Sequence, residues 1–340
     1  MGLLVRETDL TDDGALAAWH ALEAESVRAS DPHAAHRTLE ALRASVQHPS
    51  AYVDRLLLEA RDGGSLVGVA ELTWPLQEDH HLCSADVHVR PGARRRGVGR
   101  ALWQQVDRRR RGLGRTTVEA ELEVPVADGD APGPAFAEAL GFRLVHLEDH
   151  LVLGLPVDPG HRERLVEHAT AASGGYEVVT WRGRCPDDLV EAYCALRTRM
   201  EHDVPTGELA GTPVTWDEAR LRSSEERTSR SYTVLVAAAR RAADEEMAAY
   251  TLLFAPHDDD TALQDDTLVM PEHRGRRLGT LVKLANLEAL AELDEPRRLV
   301  HTWTDPDNAA MVAVNRAFGF VTVSRCHQVQ WREDAAGQAG

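Results

Sequence analysis

Residues 89–101 read VRPGARRRGVGRA, and residues 269–281 read VMPEHRGRRLGTL. Val89 matches Val269, Pro91 matches Pro271, Arg94 matches Arg274 and Gly99 matches Gly279, each pair 180 positions apart. An aspartate stands three residues before each valine, Asp86 and Asp266, and EALGF at 138–142 matches RAFGF at 316–320 at an offset of 178. Matches this dense at nearly one spacing mean two copies of one plan, so a fold assigned to one copy must also suit the other. A chain of 340 residues is long enough to bury two cores.

The element patterns repeat as well. LLVRETD opens the first copy as a strand, and Leu16, Trp19, Leu22, Leu39, Leu42 and Val46 follow at helical spacing. YVDRLLLEA and SLVGVAELTW are strands about the Asp62-Gly63-Gly64 turn, followed by LCSADVHV, the loop, and a helix from about Gly97 to Arg111. RTTVEAEL, a short helix ending at Gly141, and FRLVHLEDHLVLGL close the copy. The second copy predicts helices over 187–199 and 214–227, strands over 231–239, 247–255 and 263–270, and a helix over 278–293. The domains expected are therefore 1–156 and 175–333, with the small, polar stretch 157–174 as linker and 333–340 as a frayed tail.

Each loop joins the end of a strand to the start of a helix. The first-turn N–H groups of such a helix have no internal partner and carry the positive end of its dipole. Glycine and arginine there suit a phosphate or pyrophosphate, with main-chain amides cradling it, arginines neutralising it and glycines leaving room for it. A Walker A loop would need Gly-Lys-Ser/Thr at its end, and Leu102 stands where a dinucleotide loop needs its third glycine. What remains is Arg94-Arg95-Arg96-Gly97-Val98-Gly99: arginine, two residues, glycine, one residue, glycine.

The formal net charge of −17 speaks against nucleic acid as a partner. Four scattered cysteines without a CxxC pair suit a reducing compartment and give no zinc framework. Glu78–His81 (EDHH) has metal-ligand residue types, but their adjacency in a hairpin is unfavourable for one site, so no metal is expected. With no secretory signal core and no long apolar run, the expectation is a cytoplasmic protein without membrane contact. The Arg108–Arg111 run reads as solvated charge at a helix C-terminus.

Val-x-Pro-x-x-Arg, the loop, the helix behind it and the later Gly-Phe together resemble the GNAT superfamily, the GCN5-related N-acetyltransferases. The resemblance covers both copies, and the tandem arrangement resembles mycothiol synthase and related actinobacterial acyltransferases. It implies an α/β fold of two tandem domains, each a mixed, mostly antiparallel sheet flanked by helices. It also implies acetyl-coenzyme A or another acyl-coenzyme A as co-substrate. The pyrophosphate would lie on the loops, at Arg94, Arg95, Arg96, Gly97, Val98, Gly99 and Arg100, and at Arg274, Gly275, Arg276, Arg277, Leu278, Gly279 and Thr280. Backbone near Val89 and Val269 would bind the pantetheine arm, and Asn308 resembles the family's helix-start asparagine near the coenzyme. Arg277 departs from the pattern where the family has glycine, and either crowds the pyrophosphate or swings out.

Acyl transfer to an amine needs a base for the ammonium proton. Counting back by twos from Val269 reaches Thr267 and Asp265, whereas the first copy has Val87 and Ala85. Asp265 is then the candidate base, or simply a strand-end surface carboxylate; Asp266 points the other way unless the strand is bulged. The family's acid tyrosine is replaced by Ala137 and Asn315, and Asn315 could bond the thiol sulfur or order a water. Asn308 reads equally well as a helix cap, and Trp74 and Trp216 are candidates for lining an acceptor pocket. The expected activity is direct transfer from an acyl-coenzyme A to a small-molecule amine, catalysed by the C-terminal copy. The alternative is a non-catalytic, coenzyme A-responsive binding or scaffold protein.

Overall fold

The computed structural model describes residues 2–127, 131–204 and 207–333. In chain order the elements are β1 (Leu4–Glu7), α1 (Asp13–Ser30), α2 (Leu39–Gln47), β2 (Val53–Asp62), β3 (Ser65–Pro75), β4 (Leu82–Val89), α3 (Val98–Gly112), β5 (Thr117–Pro125), α4 (Pro132–Ala139) and β6 (Arg143–Gly154). Then come α5 (Pro159–Thr170), β7 (Tyr176–Arg182), α6 (Val190–Asp203), α7 (Glu218–Thr228), β8 (Tyr232–Arg241), β9 (Met247–Pro256), β10 (Thr261–Val269), α8 (Leu278–Ala291), β11 (Leu299–Thr304), α9 (Ala309–Phe318) and β12 (Val321–Arg332). The strand and helix runs read from periodicity are present in both copies, with ends shifted by a few residues.

Two compact units result. One comprises Met1–Glu148, Thr206–Thr212 and Val323–Gly340, the other Asp149–Pro205 and Pro213–Thr322. The first unit's sheet runs β1-β2-β3-β4-β5-β12 and is antiparallel except for the parallel pair β4–β5. Val98, Leu102 and Val106 of α3 pack on one face of it, and Leu16, Trp19 and Leu22 of α1 with Leu42 of α2 on the other. The second unit's sheet runs β6-β11-β10-β9-β8-β7, with β10–β11 as its parallel pair. Tyr193 and Leu196 of α6 and Leu221 of α7 cover one face; Leu278, Val282, Leu284 and Leu290 of α8 serve cores on the other.

The expected boundaries at 156 and 175 are not where the units divide. From Asp149 onward β6 pairs with β11, Asp149 opposite Thr304 and Gly154 opposite Leu299. The last strand of the second copy, β12, instead pairs along the whole of β5, from Ser324 opposite Pro125 to Arg332 opposite Thr117. Each sheet is thus completed by the closing strand of the other copy. The stretch read as a linker is largely α5, whose N-terminus is capped by Asp158 and whose Leu165 and Ala169 are buried in the second unit. Beyond Glu333, the tail expected to fray lies outside the described residues.

One arginine of the Arg108–Arg111 run is not solvated. Arg110 is fully buried, stacks 4.1 Å from the Trp331 ring of β12, and bonds Asp107, the Arg115 carbonyl and Glu333. Its charge is neutralised by carboxylates and its plane is spent on indole.

Candidate active site

The parallel ladder of each unit is short, and the strands part beyond it. Paired residues between β10 and β11 end at Leu263–His301, and those between β4 and β5 end at Ser84–Glu119. Each opening lies beside the N-terminus of a helix, α8 or α3, that follows the arginine–glycine loop. The N-cap positions of these two helices make no side-chain cap bond, as is also true of α4 and α6, whereas Asp12, Thr38, Asp158, Asp217 and Asn308 cap α1, α2, α5, α7 and α9. First-turn amides without a protein acceptor are what an anion requires.

The two loops share one backbone. Arg95 (φ 63°) and Gly97 (φ 85°) are left-handed in the first, and Gly275 (φ 78°) and Arg277 (φ 57°) occupy the same two positions in the second. Each copy therefore places one glycine and one arginine in left-handed slots, in opposite order. A left-handed arginine costs on the order of 1 kcal/mol. Arg277 swings out, as one of its two expected alternatives, and donates to the His168 carbonyl in the last turn of α5 at 2.8 Å.

The other loop side chains are largely committed to shaping the turn. Arg94 Nε donates to the Val89 carbonyl at 3.3 Å, with further bonds to Ser26 and Ser30. Arg274 Nε donates to the Val269 carbonyl at 3.2 Å and pairs with Asp203. Those two valine carbonyls each accept a guanidinium N–H of their own loop. Arg96 pairs with Asp62, and Arg276 lies 5.7 Å from the Tyr176 ring; Arg95 and Arg100 are exposed. Val98, Leu278 and Thr280 are buried in the helix–sheet packing.

The second glycines of the two loops differ in what lies beside them. A Cβ on Gly279 would lie 3.6 Å from Val269 Cγ2 and 3.9 Å from Thr267 Cγ2, ordinary contact distances. A Cβ on Gly99 would come 3.1 Å from the ring of Phe136, on α4. Phe136 therefore covers one flank of the α3 N-terminus. The residue matching it at the 178 offset, Val314 of α9, packs instead into the second unit's core.

β10 differs from β4 in one further respect. Residues of β4 pair with β3 without interruption, from Ser84 opposite Thr73 to Val89 opposite Gly68. In β10, Gln264 faces Leu253 and Thr267 faces Thr251, so an extra residue is accommodated at Asp265–Asp266. Side chains stitch this bulge: Gln264 Nε2 donates to the Leu252 carbonyl (2.7 Å) and Thr251 Oγ1 (2.8 Å), and Thr251 Oγ1 donates to the Asp266 carbonyl (3.1 Å).

The bulge overturns the facing argument for Asp265. Thr267 and Val269 face α8, but Asp265 lies in the field of Asp266 and of Arg197 and Glu201 on α6. The Asp265 carboxyl remains solvent-accessible in a recess. The protein walls strip part of its hydration, and with the Asp266 charge beside it this pushes its pKa up to about 7. Asp266 is held differently: Tyr250 donates its hydroxyl at 2.8 Å and Arg197 Nε lies 3.3 Å away. Arg197 also stacks 4.0 Å from the ring of Trp216, whose Nε1 donates to Glu201. Trp216 thus borders the recess; Trp74 is buried in the first unit's core.

Asn315 is not free to meet a thiol. It is fully buried, accepting from Lys283 Nζ at 2.7 Å and donating to Thr304 Oγ1 at 2.8 Å. Lys283, the only lysine of the chain, is buried too, and desolvation lowers its pKa to about 7. The sequence reading passed over it because one lysine on an apolar helix carries no motif. Asn308 is the cap of α9, its Oδ1 accepting from Met311 N at 3.2 Å.

The acetyltransferase (GNAT) family model matches residues 16–142 and again residues 201–320. Among solved structures, a tandem GNAT protein from the clavulanic acid biosynthesis pathway is 30% identical, with each chain covered in full and a TM-score of 0.80. A GCN5-related N-acetyltransferase from Sphaerobacter thermophilus is 13% identical over 97% of this chain and 95% of its own, at a TM-score of 0.64. A fungal glucosamine N-acetyltransferase region is 16% identical over 97% of this chain and 38% of its own, at 0.63. No curated protein matches the chain.

Proposed function

The chain belongs to the GNAT acetyltransferase family and is an acyl-coenzyme A-dependent acetyltransferase, and from that premise we propose that transfer takes place in the second unit, from acetyl-coenzyme A to a small-molecule amine. The observation that carries this reading is the bulge in β10. It puts an accessible carboxyl of raised pKa, Asp265, on the strand that opens beside the uncapped N-terminus of α8. The first unit has neither bulge nor carboxylate at Ala85, and Phe136 lies against Gly99 at the start of α3.

The residues present fit an acyl-coenzyme A. The left-handed Gly275 and Arg277 and the first-turn amides of α8 form a concave set of donors that would hold the pyrophosphate, next to Arg276. Bound there, the thioester supplies an activated acyl group. Asp265, ionised near neutral pH, takes the proton from the acceptor's ammonium, directly or through one water, and thereby exposes the amine lone pair. Asp266, tied to Tyr250 and Arg197, fixes the bulge and its charge sustains the raised pKa of Asp265. Asn315 orders Lys283 and Thr304 and is removed from the list of reacting groups.

Asp265 and Glu201 make the recess attractive to a cation, which supports an amine acceptor. The biosynthetic setting of the tandem relative supports a small molecule over a protein terminus. The test is acetyl-coenzyme A turnover by the full chain against a panel of small amines and N-terminal peptides. Turnover confined to peptides, or turnover that survives Asp265→Asn, would overturn the reading.

A further inference from the structure

The turn that leads into the second loop holds a side-chain cluster the acyl-transfer chemistry does not use. His273 is 1% exposed, and its buried Nε2 has no hydrogen-bond partner among the described residues. Its Nδ1 is 2.8 Å from the Tyr176 hydroxyl, which fixes the ring. Glu246 Oε2 is 3.6 Å from Nε2, and one donor atom each of Glu246, Glu272 and His273 lie within 4.8 Å of one another. Both glutamates are exposed, so the cluster is reachable from solvent.

The fold does not require an imidazole here. At the matching turn of the first unit the buried residue is Ala93, with Gly92 beside it. The second copy thus has glutamate and histidine where the first has glycine and alanine, on the same backbone turn. A buried ring nitrogen without a partner costs free energy. A metal-bound histidine donates its other ring N–H to an oxygen acceptor, most often a carboxylate, a backbone carbonyl or water, and here the Tyr176 hydroxyl oxygen stands in that place.

We propose that His273 Nε2, Glu246 and Glu272 bind one divalent transition cation of the zinc class, with water completing the coordination. Donation from Nδ1–H to the Tyr176 oxygen leaves the Nε2 lone pair for the cation. Arg241 now reaches Glu246, but it also holds Asp244 at 2.7 Å, so the cation takes Glu246 while Arg241 keeps a carboxylate partner. One imidazole and two carboxylates suit zinc or cobalt better than magnesium or calcium, which prefer all-oxygen shells. Bound there, the cation links the β8–β9 turn to the residue preceding Arg274, stiffening the entry to the loop.

The test uses the full chain, stripped with a chelator and titrated with Zn²⁺ by calorimetry, with Co²⁺ absorption as a second readout. One saturable equivalent is expected, accompanied by a rise in Tm. Glu272→Gln, an exposed change, and Tyr176→Phe should each weaken it about tenfold or more. His273→Ala, which restores the first unit's residue at this turn, should abolish it. No saturable binding, or a full equivalent that survives both His273→Ala and Glu272→Gln, would overturn the proposal.

Discussion

Tyr250 donates its hydroxyl to Asp266 at 2.8 Å, and that bond divides the labour between two adjacent aspartates of β10. Asp266 has a phenol and a guanidinium as partners, while Asp265 faces the recess. Asp265→Asn should therefore lower acyl transfer by roughly 10²–10⁴-fold, the range of a lost general base, with coenzyme A affinity unchanged. Its pH–rate profile should also lose the acidic limb near neutrality. Asp266→Asn should act mainly on the fold, by roughly 1–3 kcal/mol, because it leaves Arg197 and Tyr250 short of a partner. Steady-state kinetics with denaturant titration separates the two; equal activity losses without destabilisation by Asp266→Asn would refute the division.

The same carboxyl ties stability to pH. Its folded pKa stands above the ordinary aspartate value of 3.8, so the native chain keeps a proton that the unfolded chain has released between about 4 and 7. Stability is lost as pH rises through that window, and the penalty persists above it. Asp265→Asn removes the penalty and should melt higher than the parent at about pH 8, with no advantage at about pH 3. Parallel melting curves would count against a raised pKa.

The loops offer a matched pair of substitutions. Gly275 and Arg95 occupy the same left-handed slot, and an added Cβ at Gly275 meets nothing within 4 Å among the described residues, though at φ 78° it carries the backbone strain that Arg95 already bears. Gly275→Asp puts a carboxylate beside the proposed pyrophosphate amides and should weaken coenzyme A about tenfold or more. Arg95→Asp, in the loop flanked by Phe136, should have far less effect. Calorimetry on the full chain reads both, and the reverse ranking would move the coenzyme to the first unit.

Phe136→Ala tests why the first opening is expected to be idle. Removing the ring clears the flank of α3 above Gly99, leaving the loop backbone untouched. Coenzyme A stoichiometry should rise from one toward two. If it stays at one, something other than this ring disables the first loop.

Lys283 gives a second pH signature, with the opposite sign. Its folded pKa is about 7, below the ordinary lysine value of 10.5, so in that interval the unfolded chain binds the extra proton. Stability should rise with pH across the interval, because folding strips this proton from the unfolded chain and that costs less as pH rises. Lys283→Met should flatten the rise, visible as a shallower dependence of Tm on pH. A slope unchanged by the substitution would show that Lys283 titrates normally.

What the sequence made legible was local. Val-x-Pro-x-x-Arg, the glycine pattern and the helix behind it identify a family because they are contiguous and repeated 180 residues later. The β10 bulge was not legible, since no glycine or proline marks it; it is held by Gln264 and Thr251, which read as ordinary strand residues. Counting by twos failed at Asp265 for that reason alone. Arg110 looked solvated because its neighbours in the run are, and the contact that buries it comes from Trp331, more than two hundred residues away. Asn315 was assigned a chemical role by its slot, but a hydrogen bond from Lys283 decides its orientation.

The exchange of closing strands separates the unit of inheritance from the unit of assembly. A duplication delivers two complete recipes, but here β5 waits for β12, synthesised some two hundred residues later. During translation the first sheet keeps an open edge until residues 321–332 have left the ribosome, a liability that invites pairing with the wrong strand. A frameshift just before codon 321 would strip the N-terminal unit of a strand, although residues 1–148 are encoded intact. Half-genes of this protein should be poor starting points for expression.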